Sequence, residues 1–184
     1  IHSLLQEKIK RKGYEFTTEI QDKTFEIVSQ GESIIGIANT GTGKTGAFLL
    51  GSISKVKVDY KKTQVLILSP TRELAEQIYS ELRSLSGNVR VGVVYGGVGY
   101  GPQLNALRKG VDILVACPGR LEDLIQQKAV NLSSVKQVVI DEADRMADMG
   151  FMPSVNRLLN QTNKDRQTVL FSATLDGDVA RLIK

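Results

Sequence analysis

Ser33-Ile34-Ile35-Gly36-Ile37-Ala38-Asn39-Thr40-Gly41-Thr42-Gly43-Lys44-Thr45 is the stretch on which the fold turns. An apolar run of strand length passes through a glycine-rich turn into a helical pattern over 44–54. A phosphate held by backbone needs N–H groups turned inward, which glycine permits, followed by a helix amino terminus whose partial positive charge faces the anion. Gly41 and Gly43 supply that freedom, and Ala38, Asn39, Thr40 and Thr42 complete the loop. Lys44 has the reach for β- and γ-phosphates, and the Thr45 hydroxyl suits Mg²⁺. Ala38 departs from the general phosphate-loop pattern, where glycine is usual. The competing reading is a strand-to-helix turn that ends in a surface lysine.

The alternation continues outward along the chain. Apolar runs over 34–38, 65–69, 90–95, 112–116, 135–140 and 168–172 are short, continuous and rich in Val and Ile, which suits strands covered on both faces. Helical patterns lie between them over 44–54, 72–85, 102–109, 119–127 and 151–160, with a closing one from Asp178. This order predicts an α/β, doubly wound, mainly parallel sheet with helices on both faces, its chemistry gathered where strands end. Residues 2–12 and 19–30 read as two further helices joined by a loop. Lys55, Lys57, Lys61 and Lys62, with Asp59 and Tyr60 among them, read as a solvated connection.

Composition narrows the chemistry. The length of 184 residues against roughly 150 per domain predicts one compact domain over 1–184. No window approaches ~18 consecutive apolar residues, so no membrane span is expected. With one cysteine, Cys117, and one histidine, His2, there is no internal disulfide, no raw material for a zinc cluster, and no Ser-His-Asp triad unless His2 is recruited. A net charge of +4 permits an anionic partner without requiring one. These features lead us to expect a cytoplasmic, monomeric protein in a reducing compartment. The opening residue, Ile1, suggests a piece of something longer.

A phosphate loop needs a second acid on a neighbouring strand, and Val138-Val139-Ile140-Asp141-Glu142-Ala143-Asp144 provides it. The apolar run buries the strand and places Asp141 at its carboxyl end. Asp141 can hold Mg²⁺ directly or through water, and Glu142 can polarise the water that attacks a γ-phosphate. Alone, a carboxylate after a strand is usually a helix cap. Lys44 and Thr45 upstream favour the nucleotide reading.

Asp141-Glu142-Ala143-Asp144 resembles the signature of the DEAD-box ATP-dependent RNA helicases, and the chain is similar to the first, N-terminal RecA-like domain of that family from end to end. Pro70-Thr71-Arg72-Glu73-Leu74-Ala75 resembles motif Ia, Gly96-Gly97 the paired-glycine motif, Cys117-Pro118-Gly119-Arg120 motif Ib, and Ser172-Ala173-Thr174 motif III. Cys117 stands where the family has Thr. The stretch 13–21 is similar to the Q motif, with Thr17 and Glu19 where prolines are usual. Gln21 has the amide that can read adenine N6 and N7 together, and Phe16 occupies the position expected to pack on the base.

The resemblance implies ATP and Mg²⁺ as cofactors, with Lys44, Asp141 and Glu142 catalytic. It also implies coupling of hydrolysis to domain closure by Asp144, Ser172 and Thr174. Chemistry alone makes Ser172 and Thr174 hydrogen-bonding caps. Pro70, Thr71, Arg72, Gly97, Pro118, Gly119 and Arg120 would hold single-stranded or short duplex RNA by its sugar-phosphate chain, with little sequence preference. Within the chain, 1–30 would be the helices carrying the Q motif and 31–184 the phosphate-loop core. The second RecA-like domain, with its arginine fingers, would lie outside the chain. By itself the chain is therefore expected to bind ATP or ADP with Mg²⁺, to bind RNA weakly, to turn over little and to unwind nothing.

Three other classes compete. A GTPase needs Asn-Lys-x-Asp, which Asn163-Lys164-Asp165 only approaches. A clamp or scaffold domain would bind nucleotide without turnover. A DNA helicase or translocase would share the loop but not Gln21 or the Asp-Glu-Ala-Asp spelling.

Overall fold

The computed structural model describes residues 26–28, 30–37, 44–58 and 60–182, with the side chains of Lys44, Thr45 and Ala47 outside that description. Six strands form one sheet: β1 (Ile34–Ile37), β2 (Val65–Leu68), β3 (Val91–Val94), β4 (Ile113–Ala116), β5 (Gln137–Ile140) and β6 (Gln167–Ser172). The order is β1-β6-β5-β2-β4-β3 and every neighbouring pair is parallel. Between and after the strands lie α1 (Lys44–Lys55), α2 (Arg72–Leu85), α3 (Tyr100–Arg108), α4 (Pro118–Gln126), α5 (Ala143–Asp148), α6 (Met152–Asn160) and α7 (Gly177–Arg181). The expected α/β doubly wound sheet is thus present. The expectation of a neighbouring acid is corrected in one detail: β6 lies between β1 and β5.

Strand alternation divides the core in two. Leu66, Leu68, Leu114, Ala116, Val138, Ile140 and Leu170 pack on one face, under α4, α5 and α6. Val65, Ile67, Ile113, Val115, Val139, Val169 and Phe171 pack on the other, with Phe48 of α1 and Ile78 and Leu82 of α2. Every residue of β2, β4 and β5 is buried, which explains the unbroken apolar sequences of β2 and β4 and the apolar run after Gln137 in β5. Phe48 and Phe171 meet with ring centroids 5.3 Å apart. Gly36 makes room for that pair, since a Cβ there would stand 2.6 Å from the Phe171 ring.

At the amino edge of the sheet, polar side chains hold strand beginnings together. Arg90 donates to buried Asp112 through its backbone N–H at 2.9 Å and through Nε and Nη2 at 3.0 and 2.6 Å. Gln167 donates to the carbonyls of Val28 and Glu32 and accepts from Gln137. Lys55 corrects the solvated reading of its segment: its Nζ donates to Gln167 Oε1 at 2.7 Å, and burial lowers its pKa.

The periodic segments were legible to within two or three residues. Five of the six strands run shorter than the apolar stretches, while β6 begins one residue earlier, at Gln167. Asp112, expected within β4, instead receives Arg90. The helix 143–148 has no counterpart in the sequence reading, because one and a half turns give too few positions for a period to show. Of the expected helix over 19–30, residues 26–28 and 30 are helical and the rest lie outside the described residues, as does the expected helix over 2–12.

Candidate nucleotide and nucleic-acid site

The expected site residues that the structure describes fall at the carboxyl edge of the sheet. Register pairs Ile37 with Ser172 and Ile140 with Leu170, so β1 delivers the chain toward Lys44 level with the end of β6. Asp141 leaves β5 two strands away, roughly 10 Å at ordinary strand spacing. Ala38, Asn39, Thr40, Gly41, Thr42 and Gly43 lie outside the described residues, as do Phe16 and Gln21. Lys44 and Thr45 are described as the first backbone residues of α1.

Asp141 is only 2% exposed. Its N–H donates to Leu68 O at 3.1 Å, which extends the sheet by one residue, and its Oδ1 accepts the N–H of Glu142 at 3.0 Å. A buried carboxylate at a strand end offers a hard oxygen ligand of the kind Mg²⁺ takes alongside phosphate and water. Glu142 has φ 52° and ψ 53°, left-handed for a non-glycine residue. Such a conformation costs on the order of 1 kcal/mol or more and collects at functional sites. It turns the chain sharply from β5 into α5, and Glu142 Oε2 accepts from Arg145 Nη1 at 3.2 Å. Buried Ser172 joins the box to β6, its Oγ accepting the N–H of Asp144 at 3.2 Å. It therefore does the capping work that its chemistry suggested. Thr174 is exposed and has no hydrogen bond among the described residues.

The second group of residues forms a rim beyond β2, β3 and β4. Pro70 is buried, and Thr71 caps α2, its Oγ1 accepting the N–H of Leu74 at 3.3 Å. Arg72 is exposed and lies over the Tyr95 ring, 5.0 Å from its centroid. Tyr95 donates its hydroxyl to Glu76, which holds the phenol above its ordinary pKa. Gly97 has φ 77°, a conformation open to glycine and costly for most residues. Buried Pro118 starts α4 and exposed Gly119 follows. Arg120 lies over the Tyr100 ring at 4.2 Å and donates from Nη2 to Val98 O at 3.0 Å. Its Nη1 is enclosed and has no hydrogen-bond partner. Cys117 precedes α4 without capping it, and burial, then the Glu73 carboxylate, push its thiol up to about 11. A neutral thiol of this kind is a poor nucleophile.

Several residues escaped the sequence reading: Tyr95, Tyr100, Gln103, Asp123 and Arg145. Gln103 carried a signal, since it stands on the same helical face as Leu104 and Leu107, where a buried amide must find partners. The tyrosines carried none, because stacking on arginines 20 or so positions away is set by the fold.

The chain is similar to known proteins. Over residues 18–182 the chain matches the family model DEAD/DEAH box helicase. It is 46% identical over 180 residues to the ATP-dependent RNA helicase CshA of Limosilactobacillus reuteri, covering 97% of this chain and 36% of that protein. It is 42% identical over 184 residues to the putative DEAD-box RNA helicase HEL64 of Trypanosoma brucei brucei, covering 97% and 32%. Among solved structures, a DEAD box protein from Methanococcus jannaschii superposes with a TM-score of 0.93 at 38% identity, covering 99% of this chain and 50% of that one. The chain thus spans about a third of the length of these curated relatives. A match that runs through nearly all of the chain, on the same fold and through the Asp141-Glu142-Ala143-Asp144 turn, places the chain in the DEAD/DEAH box helicase family.

Proposed function

We propose that this chain, as a single domain over 1–184, is the nucleotide-binding RecA-like half of an ATP-dependent RNA helicase. The observation that carries the reading is the buried Asp141 at the end of β5, followed by left-handed Glu142 and tied through Asp144 to Ser172 on the strand beside β1. Lys44, with the loop of Ala38, Asn39, Thr40, Gly41, Thr42 and Gly43, neutralises and cradles the phosphates. Thr45 and Asp141 would hold Mg²⁺, partly through water, and the ion would supply charge neutralisation for the phosphates. Glu142 orients and deprotonates the attacking water. Phe16 packs on adenine and Gln21 reads its edge.

RNA runs along the rim, its phosphates met by Arg72 and Arg120 and by the helix starts at Thr71 and Pro118, with Gly97 and Gly119 allowing close approach. The rim touches no base edge in this scheme, so recognition is independent of sequence. A second RecA-like domain supplies the arginine fingers, worth about 10³ to 10⁵ in rate in phosphoryl transfer. The chain by itself therefore binds ATP or ADP with Mg²⁺, holds RNA weakly and hydrolyses little. We take it to act as a monomer in the cytoplasm. No helix among the described residues is long and apolar enough to cross a membrane.

The test is calorimetric titration with ATP and with GTP. ATP is expected to bind and GTP not to, Lys44→Ala to abolish the heat of binding, and Glu142→Gln to preserve it. In the full-length helicase, Glu142→Gln is expected to stop RNA-stimulated hydrolysis. Equal binding of GTP sinks the adenine assignment, and normal turnover by both variants sinks the catalytic roles.

A further inference from the structure

The loop from Tyr95 to Gly99 carries the paired glycines of the rim, and one side chain beneath it makes most of its hydrogen bonds. Gln103 of α3 is 7% exposed. Its Oε1 accepts the Tyr95 N–H at 3.1 Å, and its Nε2 donates to the carbonyls of Tyr95 at 3.2 Å and Gly99 at 3.4 Å. Arg120 takes a third carbonyl of the same loop, Val98 O. The Arg120 guanidinium is itself held against Tyr100, whose hydroxyl donates to Asp123 Oδ2 at 3.1 Å.

These contacts have a common electrostatic effect. The carbonyls of Tyr95, Val98 and Gly99 are engaged by protein donors, so their negative ends are not offered to a phosphate. Among the described residues no acceptor meets the N–H groups of Gly96 and Gly97, and both residues are exposed. Successive backbone N–H groups freed in this way, one of them on a residue with φ 77°, form a concavity suited to an anion. Tyr95, pinned at its backbone by Gln103, also carries the ring on which Arg72 lies.

We infer that Gln103 is a positioning residue for RNA: it touches no nucleotide, yet it sets the carbonyl orientation of the 95–99 loop and, through Tyr95, the seat of Arg72. The inference rests on the RNA reading of the rim and adds to it the element that organises the rim before RNA arrives. An ordered loop binds without the entropic cost of ordering it at the moment of association.

Salt dependence separates positioning from contact. Each phosphate contact removed lowers the slope of log K against log salt by about 0.7 for a single strand. Fluorescence anisotropy of the chain with a labelled single-stranded oligouridylate, over a salt series, reads both affinity and slope. Gln103→Met, which keeps the volume and removes all three hydrogen bonds, is expected to raise Kd about tenfold, the scale of one net hydrogen bond. The slope should be that of the unaltered chain, and affinity for a fluorescent ATP analogue should stay within about twofold. Arg72→Ala is expected to lose affinity and slope together.

Because a buried amide can also support the fold, Arg120→Lys serves as the second variant. It leaves Gln103 in place and keeps the charge but gives up the Val98 contact, so it should weaken RNA with the slope preserved. An unchanged RNA Kd in Gln103→Met overturns the inference, as does a slope reduced as in Arg72→Ala. So does a Gln103→Met chain that melts early and loses both ligands in proportion while Arg120→Lys binds RNA normally. If Arg72→Ala also leaves RNA binding intact, the RNA reading of the rim fails instead.

Discussion

Gly97 and Gly119 stand on the same rim, and the structure assigns them different reasons for being glycine. Gly97 has φ 77°, and a Cβ built there meets no atom within 4 Å. Replacing it with Ala therefore carries no clash, only the cost of a left-handed L-residue, about 1–2 kcal/mol. In a domain of this size each kcal/mol moves Tm by roughly 2–4 °C, so Gly97→Ala should melt about 2–8 °C lower. Gly119 has no positive φ and no neighbour within 4 Å of a Cβ, and it sits in the first turn of α4. There Ala is the better helix former by up to about 1 kcal/mol, so Gly119→Ala should melt at the same temperature or slightly higher.

Their effects on RNA should diverge from their effects on stability. Because the left-handed strain is carried by the free and the RNA-bound chain alike, Gly97→Ala should weaken oligouridylate binding only through contact of the new methyl with RNA, while Gly97→Asn should recover part of the lost stability because Asn tolerates this region. Gly119→Ala should weaken RNA only through a steric contact made when RNA is bound. Differential scanning fluorimetry and anisotropy on the three variants measure both quantities. A Gly97→Ala chain that melts with the parent, or a Gly119→Ala chain that melts several degrees earlier, would refute the backbone argument.

Two further predictions concern groups away from the rim loop. Asp112→Asn leaves Arg90 facing an amide where a buried carboxylate took three hydrogen bonds. Because the Arg90 side chain is 34% exposed and can be rehydrated, the loss should sit near the low end for a broken buried pair, about 2–3 kcal/mol. Urea denaturation should show a lower midpoint with an unchanged slope, and a loss under about 0.5 kcal/mol refutes the assignment. Cys117, its thiol pushed up to about 11, should react slowly with iodoacetamide at pH 8, the rate rising about tenfold per pH unit. Since the folded pKa is the higher one, the linked stability is intact below the unfolded value and is lost between 9.0 and about 11 as pH rises. Glu73→Gln should move the midpoint down, and a rate plateau near pH 9 contradicts the assignment.

At Glu142 the fold and the proposed chemistry fall on one residue. The chain must leave β5 and start α5 within a single residue if Asp144 is to meet Ser172 on β6, and φ 52° at Glu142 makes that turn. The same geometry ties its carboxylate to Arg145, a pair that must loosen if Glu142 is to take a proton from water. Backbone strain here falls on a residue for which we propose a catalytic role, and strained residues often collect at such turns.

The linear order of residues determined the strand–helix alternation, the parallel sheet and the grouping of Lys44, Asp141 and the rim motifs at strand ends. Each of these depends on local periodicity or on a rule that parallel strands present their carboxyl ends together. Asp141-Glu142-Ala143-Asp144 was legible because its meaning lies in adjacent residues. Tertiary structure alone decided that β6 lies between β1 and β5, that the Asp112 carboxylate takes Arg90, and that Lys55 reaches Gln167 across 112 positions. It also decided that Arg72 and Arg120 rest on Tyr95 and Tyr100, and that Gln103 shapes the loop between them. The division has a physical origin. Propensity, turn chemistry and amphipathic period are properties of neighbours in sequence, whereas hydrogen bonds and stacking depend on distances that exist only after the sheet has assembled.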